Sequence, residues 1–257
     1  MRVRKYLTVL GLAAAAACDG ANQPVASPAA GAPTPEFNLS STCSGPTVVS
    51  PTGSTVLTGT STALTFQMDA LCRRVNAIEV YDAASGTLVF SDYTPEFETY
   101  QMGTGYNNNF EYRYLTLGGS GVPRGKYYNW RVRTHQVATD GYTVVQVAPW
   151  SASGTFGVSP TKPTLSGSIS SFKPNLSWTS SDGATQYEVW RYISDWGGSW
   201  DVPLTTTSTS FTDTDVCVTS TNTGHYVQYH IEAVNTVSGL RNWSSSKIFY
   251  LCGQPPI

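Results

Sequence analysis

At 257 residues with 12% charged side chains, the chain suggests two domains of about 100 residues each after a short leader. The formal net charge is −2, and without Arg2, Arg4 and Lys5 of the leader it becomes −5, 12 basic against 17 acidic residues. A mildly acidic chain with no basic cluster excludes a nucleic-acid partner. Ser, Thr and Gly dominate the polar positions, and Tyr (15) and Trp (7) are plentiful. That composition suits β domains with small turns at a cell surface better than a cytosolic enzyme.

Residues 1–17 carry three charges and then an apolar run from Tyr6 to Ala17. The run is too short to span a bilayer and reads as a signal-peptide core. It ends Ala15-Ala16-Ala17-Cys18, which resembles a bacterial lipobox, although Ala15 stands where that pattern usually has Leu. The resemblance implies a diacylated Cys18, a membrane as partner, and an extracytoplasmic place in a bacterial cell envelope. Two acyl chains supply the two signals that stable anchoring needs. The alternative is an ordinary cleavage site with Cys18 incidental. Residues 18–42 are rich in Pro, Ala, Ser and Gly without periodicity, and read as a disordered tether.

Two copies of one pattern follow, over 43–158 and 159–257. In the first, Pro46–Val49 reads as a strand, then Ala63–Met68 with Leu64 and Phe66 inward. Ala77–Asp82 follows with Ile78 and Val80 inward, and Ser85-Gly86 turns the chain into Thr87–Ser91. Tyr128, Trp130 and Val132 then alternate with polar residues. In the second copy, Leu176 and Trp178 stand for Leu64 and Phe66, and Tyr187 and Val189 for Ile78 and Val80. Phe211 lies in a further strand, and Val227, Tyr229, Ile231 and Ala233 alternate in the long one. Trp150-Ser151-Ala152-Ser153 matches Trp243-Ser244-Ser245-Ser246. Val189 follows Val80 by 109 residues, whereas Trp243 follows Trp150 by 93, so the first copy carries about sixteen extra residues. Most are expected within 92–121, with a second small hairpin at Asp140-Gly141.

The order Leu176-x-Trp178, Tyr187-x-Val189, Phe211-Thr212-Asp213-Thr214 and Tyr229-x-Ile231-x-Ala233-Val234-Asn235 resembles a fibronectin type III domain. The first copy resembles it more loosely, with Phe66 in place of Trp. The resemblance implies an all-β chain of two tandem fibronectin type III/immunoglobulin-like sandwiches. Its cores would hold Phe66, Tyr128, Trp130, Trp178, Tyr187, Val189, Phe211, Tyr229 and Ile231. Tyr128 stands at the family's tyrosine corner, where the second copy has Val227, so that bond is lost or taken by Tyr226. Trp-Ser-x-Ser resembles the cytokine-receptor motif without its second Trp. Setting Cys18 aside leaves four cysteines and three pairings. The implied antiparallel topology selects Cys43–Cys72 and Cys217–Cys252, each stabilising by roughly 3–4 kcal/mol.

The chain offers little catalytic chemistry. It has three histidines and lacks G-x-S-x-G, H-E-x-x-H and a phosphate-binding glycine loop. His225 and His230 are five apart and face opposite sides of one strand, so they share no metal. Asp213 and Asp215 offer a cation two carboxylates, but a hard cation needs six or more oxygens and the turn is the better reading. No metal, cofactor or catalytic residue is expected. Asn38, Asn175 and Asn242 open glycosylation-type tripeptides, which a bacterial lipoprotein usually leaves bare. The remaining candidate is the loop Ser194–Asp201. Its Trp196 and Trp200 either fold back over the sandwich edge or form an exposed pair for a glycan or protein ligand, with Asp195 and Asp201 at the rim. The expected role is non-catalytic binding or spacing at the envelope. The alternatives are a carbohydrate-binding protein or an accessory subunit of a glycan-processing system.

Overall fold

The computed structural model describes residues 43–68, 74–92, 110–138, 143–194 and 200–252. The leader, the tether, Cys18 and Cys72 lie outside them. The first module contains β1 (Thr47–Ser50), β2 (Val56–Leu57), β3 (Ser61–Gln67), β4 (Arg74–Asp82), β5 (Leu88–Asp92), β6 (Phe110–Thr116), β7 (Lys126–Val137), β8 (Val144–Val147) and β9 (Gly154–Val158). They form a sheet of order β1-β3-β6 and a second of order β2-β9-β7-β4-β5, with β8 on the outer half of β7. The second module contains β10 (Leu165–Ser170), β11 (Lys173–Trp178), β12 (Gln186–Ile193), β13 (Leu204–Thr206), β14 (Ser210–Thr212), β15 (Val218–Thr219), β16 (Tyr226–Val234), β17 (Arg241–Trp243) and β18 (Lys247–Leu251). Its sheets are β10-β11-β14 and β13-β12-β16-β18-β15, with β17 paired to β16.

Alternation decides which residues go inside, because successive side chains of a strand point to opposite faces. In β16, Val227, Tyr229, Ile231 and Ala233 are fully buried, while Tyr226, Gln228 and His230 look outward. The first core closes Leu64 and Phe66 of one sheet against Ile78, Val80, Tyr128, Trp130, Val132 and Phe156 of the other. The second closes Leu176 and Trp178 against Tyr187, Val189, Tyr229, Ile231 and Phe249, and Trp178 meets Tyr187 edge-on at 5.7 Å. Phe211 is only partly buried, because β14 is a short edge strand. The indole of Trp130 donates to the Pro51 carbonyl at 2.9 Å, joining the two sheets of its module.

The strands differ from the sequence reading at two points. The range expected to hold the extra residues also contains β6, the first module's counterpart of β14. Phe110–Thr116 pairs with β3 along its whole length, and Leu115 and Leu117 enter the core while Tyr114 stays 69% exposed. The run of tyrosines and polar residues hides this strand, since only its last positions carry aliphatic side chains. Two short or polar strands, β2 and β10, also escape the pattern. The tyrosine corner forms in the first module, where the Tyr128 hydroxyl donates to the Pro123 carbonyl at 2.6 Å. In the second it is absent, and Tyr226 does not replace it, because Tyr226 stacks outward on Tyr192 at 5.9 Å.

Cys217 and Cys252 form a disulfide across a separation of 35 residues. The amide of Cys252 also donates to the Cys217 carbonyl at 2.9 Å. Cys43 is disulfide-bonded, to a partner outside the described residues.

Candidate functional site

The outward face of the large sheet of the second module carries a continuous group of aromatic rings. Register puts them there. Trp190 of β12 lies opposite His230 of β16, and Tyr192 opposite Gln228. On the far side of β16, Trp243 of β17 lies opposite Glu232. Trp200 enters by an isolated bridge to Tyr192 and folds over the sheet. His230 is boxed between indoles, with centroids 4.2 Å from Trp200, 4.4 Å from Trp243 and 6.1 Å from Trp190. Trp190 and Trp243 are 5.8 Å apart, and Trp200 covers Tyr192 at 5.6 Å. Trp200 and Trp243 remain 38% and 42% exposed, so each still offers surface to a ligand. Tyr226 extends the group toward Tyr250 and the exposed Ile248 of β18.

The electrostatics of this face are quiet. Burial holds the His230 imidazole below its ordinary pKa, which favours the neutral ring. At one end Arg241 donates to Glu188 at 2.8 Å and to Glu232 at 2.7 Å. Glu232 is itself buried, and that burial raises its pKa against the pull of Arg241. The Trp190 indole nitrogen and His230 Nε2 are buried without a hydrogen-bond partner in the protein. A buried orphan polar atom costs about 1–3 kcal/mol, so such groups call for an explanation.

The first module offers a comparison on the same scaffold. In both modules the Ser after the Trp locks onto the long strand. Ser151 and Ser244 exchange backbone bonds with the carbonyls of Val132 and Ile231, and their hydroxyls accept from the same residues' amides. Trp150 therefore occupies the place of Trp243. Beneath Trp150, however, lie the Arg131 and Arg133 guanidiniums, at 4.3 and 4.6 Å from its ring. Arg131 donates to Glu79 at 2.8 Å and to the Tyr81 hydroxyl at 2.9 Å. One face is thus an internally paired ionic ladder, and its counterpart is an uncharged aromatic surface.

Recesses lie elsewhere among the described residues, two of them beside charged side chains. One, of about 230 Å³, is lined by Arg191, Asp201, Val202, Asp213 and Asp215. Its charges are already occupied: Arg191 donates to Asp201 at 2.6 Å and to Asp213 at 2.9 Å, and the buried Tyr229 hydroxyl donates to Asp213 at 2.7 Å. The Asp215 amide donates to the other Asp213 oxygen at 2.9 Å, which is the turn. Among the described residues, no cluster of three or more His, Cys, Asp or Glu is placed to hold a metal. The other recess, of about 680 Å³, lies between the modules beside Asp82, Lys126, Tyr127, Asn235 and Val237.

Strand order identifies the architecture. Each module packs a three-stranded sheet of its first, second and fifth principal strands on a larger sheet built from the third, fourth, sixth and seventh. No family model and no curated protein matches the chain. Among solved structures, a cytokine receptor complex matches at 12% identity, covering 81% of this chain and 97% of that one, with a TM-score of 0.36. The FN1–FN3 domains of chicken CNTN1 match at 13% identity, covering 82% of this chain and 65% of that one, with a TM-score of 0.29. An Fn3-like protein from Clostridium thermocellum is 33% identical, covering 35% of this chain and 91% of that one, with a TM-score of 0.27. Each module has the strand order of a fibronectin type III-like sandwich.

In the second fibronectin type III-like domain, the residues singled out from sequence separate. Trp196 and Asp195 lie outside the described residues. Trp200 lies on the sheet face, against Tyr192 and His230. Asp201 is held by Arg191 and serves the domain's own ion pairs. Trp190, Tyr192, Tyr226, His230 and Trp243 were not among the expected site residues. The signal for them is present in the alternation, since the outward positions of β12 and β16 carry rings where an exposed sheet face carries Thr, Lys or Glu. Reading those positions only as "not core" misses it.

Proposed function

We propose that the chain is a non-catalytic binding lipoprotein of the bacterial envelope, tethered through Cys18 by residues 18–42. On this reading the outward sheet face of its second domain meets the partner. The observation that carries the reading is the contrast between the two domains. The fold needs only that something cover the face beneath Trp150 or Trp243, and domain one meets that need with paired charges. Domain two replaces them with His230 and Trp190 and adds Trp200, leaving aromatic surface exposed. Trp and Tyr concentrate at binding hot spots because they present large rigid area at low entropic cost. The Ala15-Ala16-Ala17-Cys18 sequence supports the anchor.

The test has two parts. Cell fractionation of wild type and Cys18→Ser should find the wild type with membranes and the variant released. Beads carrying the full chain should retain an envelope component, identified by protein and sugar analysis, that Trp200→Ala beads do not. Equal retention by both would refute the assignment of the face.

A further inference from the structure

We infer that the aromatic face of the second domain binds a neutral glycan strand of equatorially linked pyranose rings. This rests on the binding reading above and names the class of its ligand. A pyranose with equatorial substituents presents a flat face of axial C–H bonds, and that face stacks on an indole. Its rim of hydroxyls meanwhile needs donors and acceptors at the edge of the stack. The face supplies both. Trp200 and Trp243 expose ring surface on either side of His230. The hydroxyls of Tyr192 and Tyr226 and the Gln228 carboxamide, which donates to Ser246 at 2.7 Å, border them.

Charge narrows the ligand. The rings are uncharged, the imidazole is favoured neutral by burial, and the carboxylates at the end of the row are held by Arg241. The chain without its leader carries −5, which opposes a polyanion. A neutral polymer meets no such opposition. Ring tilt narrows it further. Successive rings are inclined by 36°, 89° and 46° along Trp200–His230, His230–Trp243 and Trp243–Trp190. A flat crystalline polysaccharide surface requires coplanar rings, so a single twisting strand fits this face better. Carbohydrate also fits better than a protein partner, because protein hot spots combine aromatic anchors with a complementary charged or polar rim. Here, among the described residues, Arg241, Glu188 and Glu232 at the end of the row are paired to each other.

The test is calorimetric titration and tryptophan emission of the full chain in detergent with three hexasaccharides. Two are β-1,4-linked, of glucose and of N-acetylglucosamine, and one is α-1,4-linked glucose. Saturable binding of at least one β-linked hexamer, stronger than that of the α-linked one, is expected. Trp200→Ala should weaken it by about tenfold or more, with the melting temperature held. His230→Arg, which installs the residue found at the matching place in domain one, should do the same. Trp150→Ala in domain one should leave binding unchanged. The inference fails if neither β-linked hexamer binds, or if binding survives both variants. Should the hexamers fail while Trp200→Ala still abolishes retention of an envelope protein, the ligand is a protein and only the glycan assignment falls. Should neither the hexamers nor any envelope component distinguish wild type from variant, the binding face falls with it.

Discussion

Asp213 sits where a cation site and a structural network make opposite predictions. It is 1% exposed, accepts from Tyr229 and Arg191 on one oxygen, and takes the Asp215 amide on the other. In Asp213→Ala the Tyr229 hydroxyl is left buried without an acceptor, and Arg191 loses its buried partner while keeping the more exposed Asp201 and Asp215. Breaking a buried charged network by removing one partner costs about 3–5 kcal/mol. Against a net stability of about 5–15 kcal/mol this leaves domain two marginal. Burial and Asp213 both raise the Tyr229 pKa, so the hydroxyl remains a donor throughout the ordinary pH range. Tyr229→Phe removes one charge-assisted bond and should cost about 1.5–3 kcal/mol. In the double variant no hydroxyl is left orphaned, so the cost should fall below the sum of the single ones. Urea unfolding of the full chain, followed by tryptophan emission, measures all three. Single costs that add within about 0.5 kcal/mol would refute the network. So would a wild-type midpoint that rises on adding calcium and falls with chelator, which would make the carboxylates cation ligands.

Three further outcomes follow from the same geometry. Trp178→Ala opens a cavity between the sheets of domain two and should cost about 3–5 kcal/mol, read as an early unfolding step in urea. Removing the Cys217–Cys252 bond by Cys217→Ala with Cys252→Ala should lower the stability of domain two by about 3–4 kcal/mol, and reductant should shift the unfolding step of domain two in wild type but not in the variant. Asp82 accepts from Lys126 and from the Ser85 and Ala84 amides, and Lys126 is the largest cause of its lowered pKa. Folding therefore keeps Asp82 ionised at a pH where the unfolded chain has bound a proton. The stability it contributes is present above 3.8 and lost as the pH falls through the lower folded value. Asp82→Asn should flatten that acid limb of the melting curve of domain one, and an unchanged limb would remove Asp82 from the account.

The fold was legible because its core strands alternate cleanly. Leu64-x-Phe66, Ile78-x-Val80 and Tyr229-x-Ile231 announce one buried face, and all of these side chains are buried. Where a strand carries few aliphatics, as in Phe110–Thr116 and Leu165–Ser170, its pairing comes from neighbours that a local pattern does not contain. The aromatic face was legible only in part. Trp200 stood out as an aromatic in a loop, but its neighbours come from three strands, β12, β16 and β17. Sequence separation between Trp190 and Trp243 conceals a ring distance of 5.8 Å. Comparing the copies residue by residue exposes the difference at once, since Arg131 becomes His230 and Tyr81 becomes Trp190 on an otherwise shared frame.

The joint between the domains fixes how the aromatic face of the second is carried on the first. Gly125 and Gly183 meet backbone to backbone, with φ of +75° and +82°. A Cβ on Gly125 would lie 2.3 Å from the Gly183 carbonyl oxygen, and one on Gly183 would lie 2.5 Å from the Arg124 carbonyl carbon. Arg124 is buried there and donates to the carbonyls of Gly59, Leu117 and Ser159. The segment after Ser159 is tied down on domain two, where Asn242 donates to the Pro160 carbonyl at 2.8 Å and Thr161 and Asp182 exchange bonds at 3.0 and 2.8 Å. The connecting residues Ser159-Pro160 are buried, so the link is packed and not a free hinge. Gly183→Ala adds both a clash and a disfavoured backbone conformation, and neither has a flexible side chain to absorb it. The variant should loosen the joint while leaving each core intact. Protease should then cut near 159–164, and small-angle scattering should show a wider distribution of domain separations. A Gly183→Ala chain with wild-type protease resistance and scattering would mean that the contact does not hold the domains, and that the face is carried on a swinging arm.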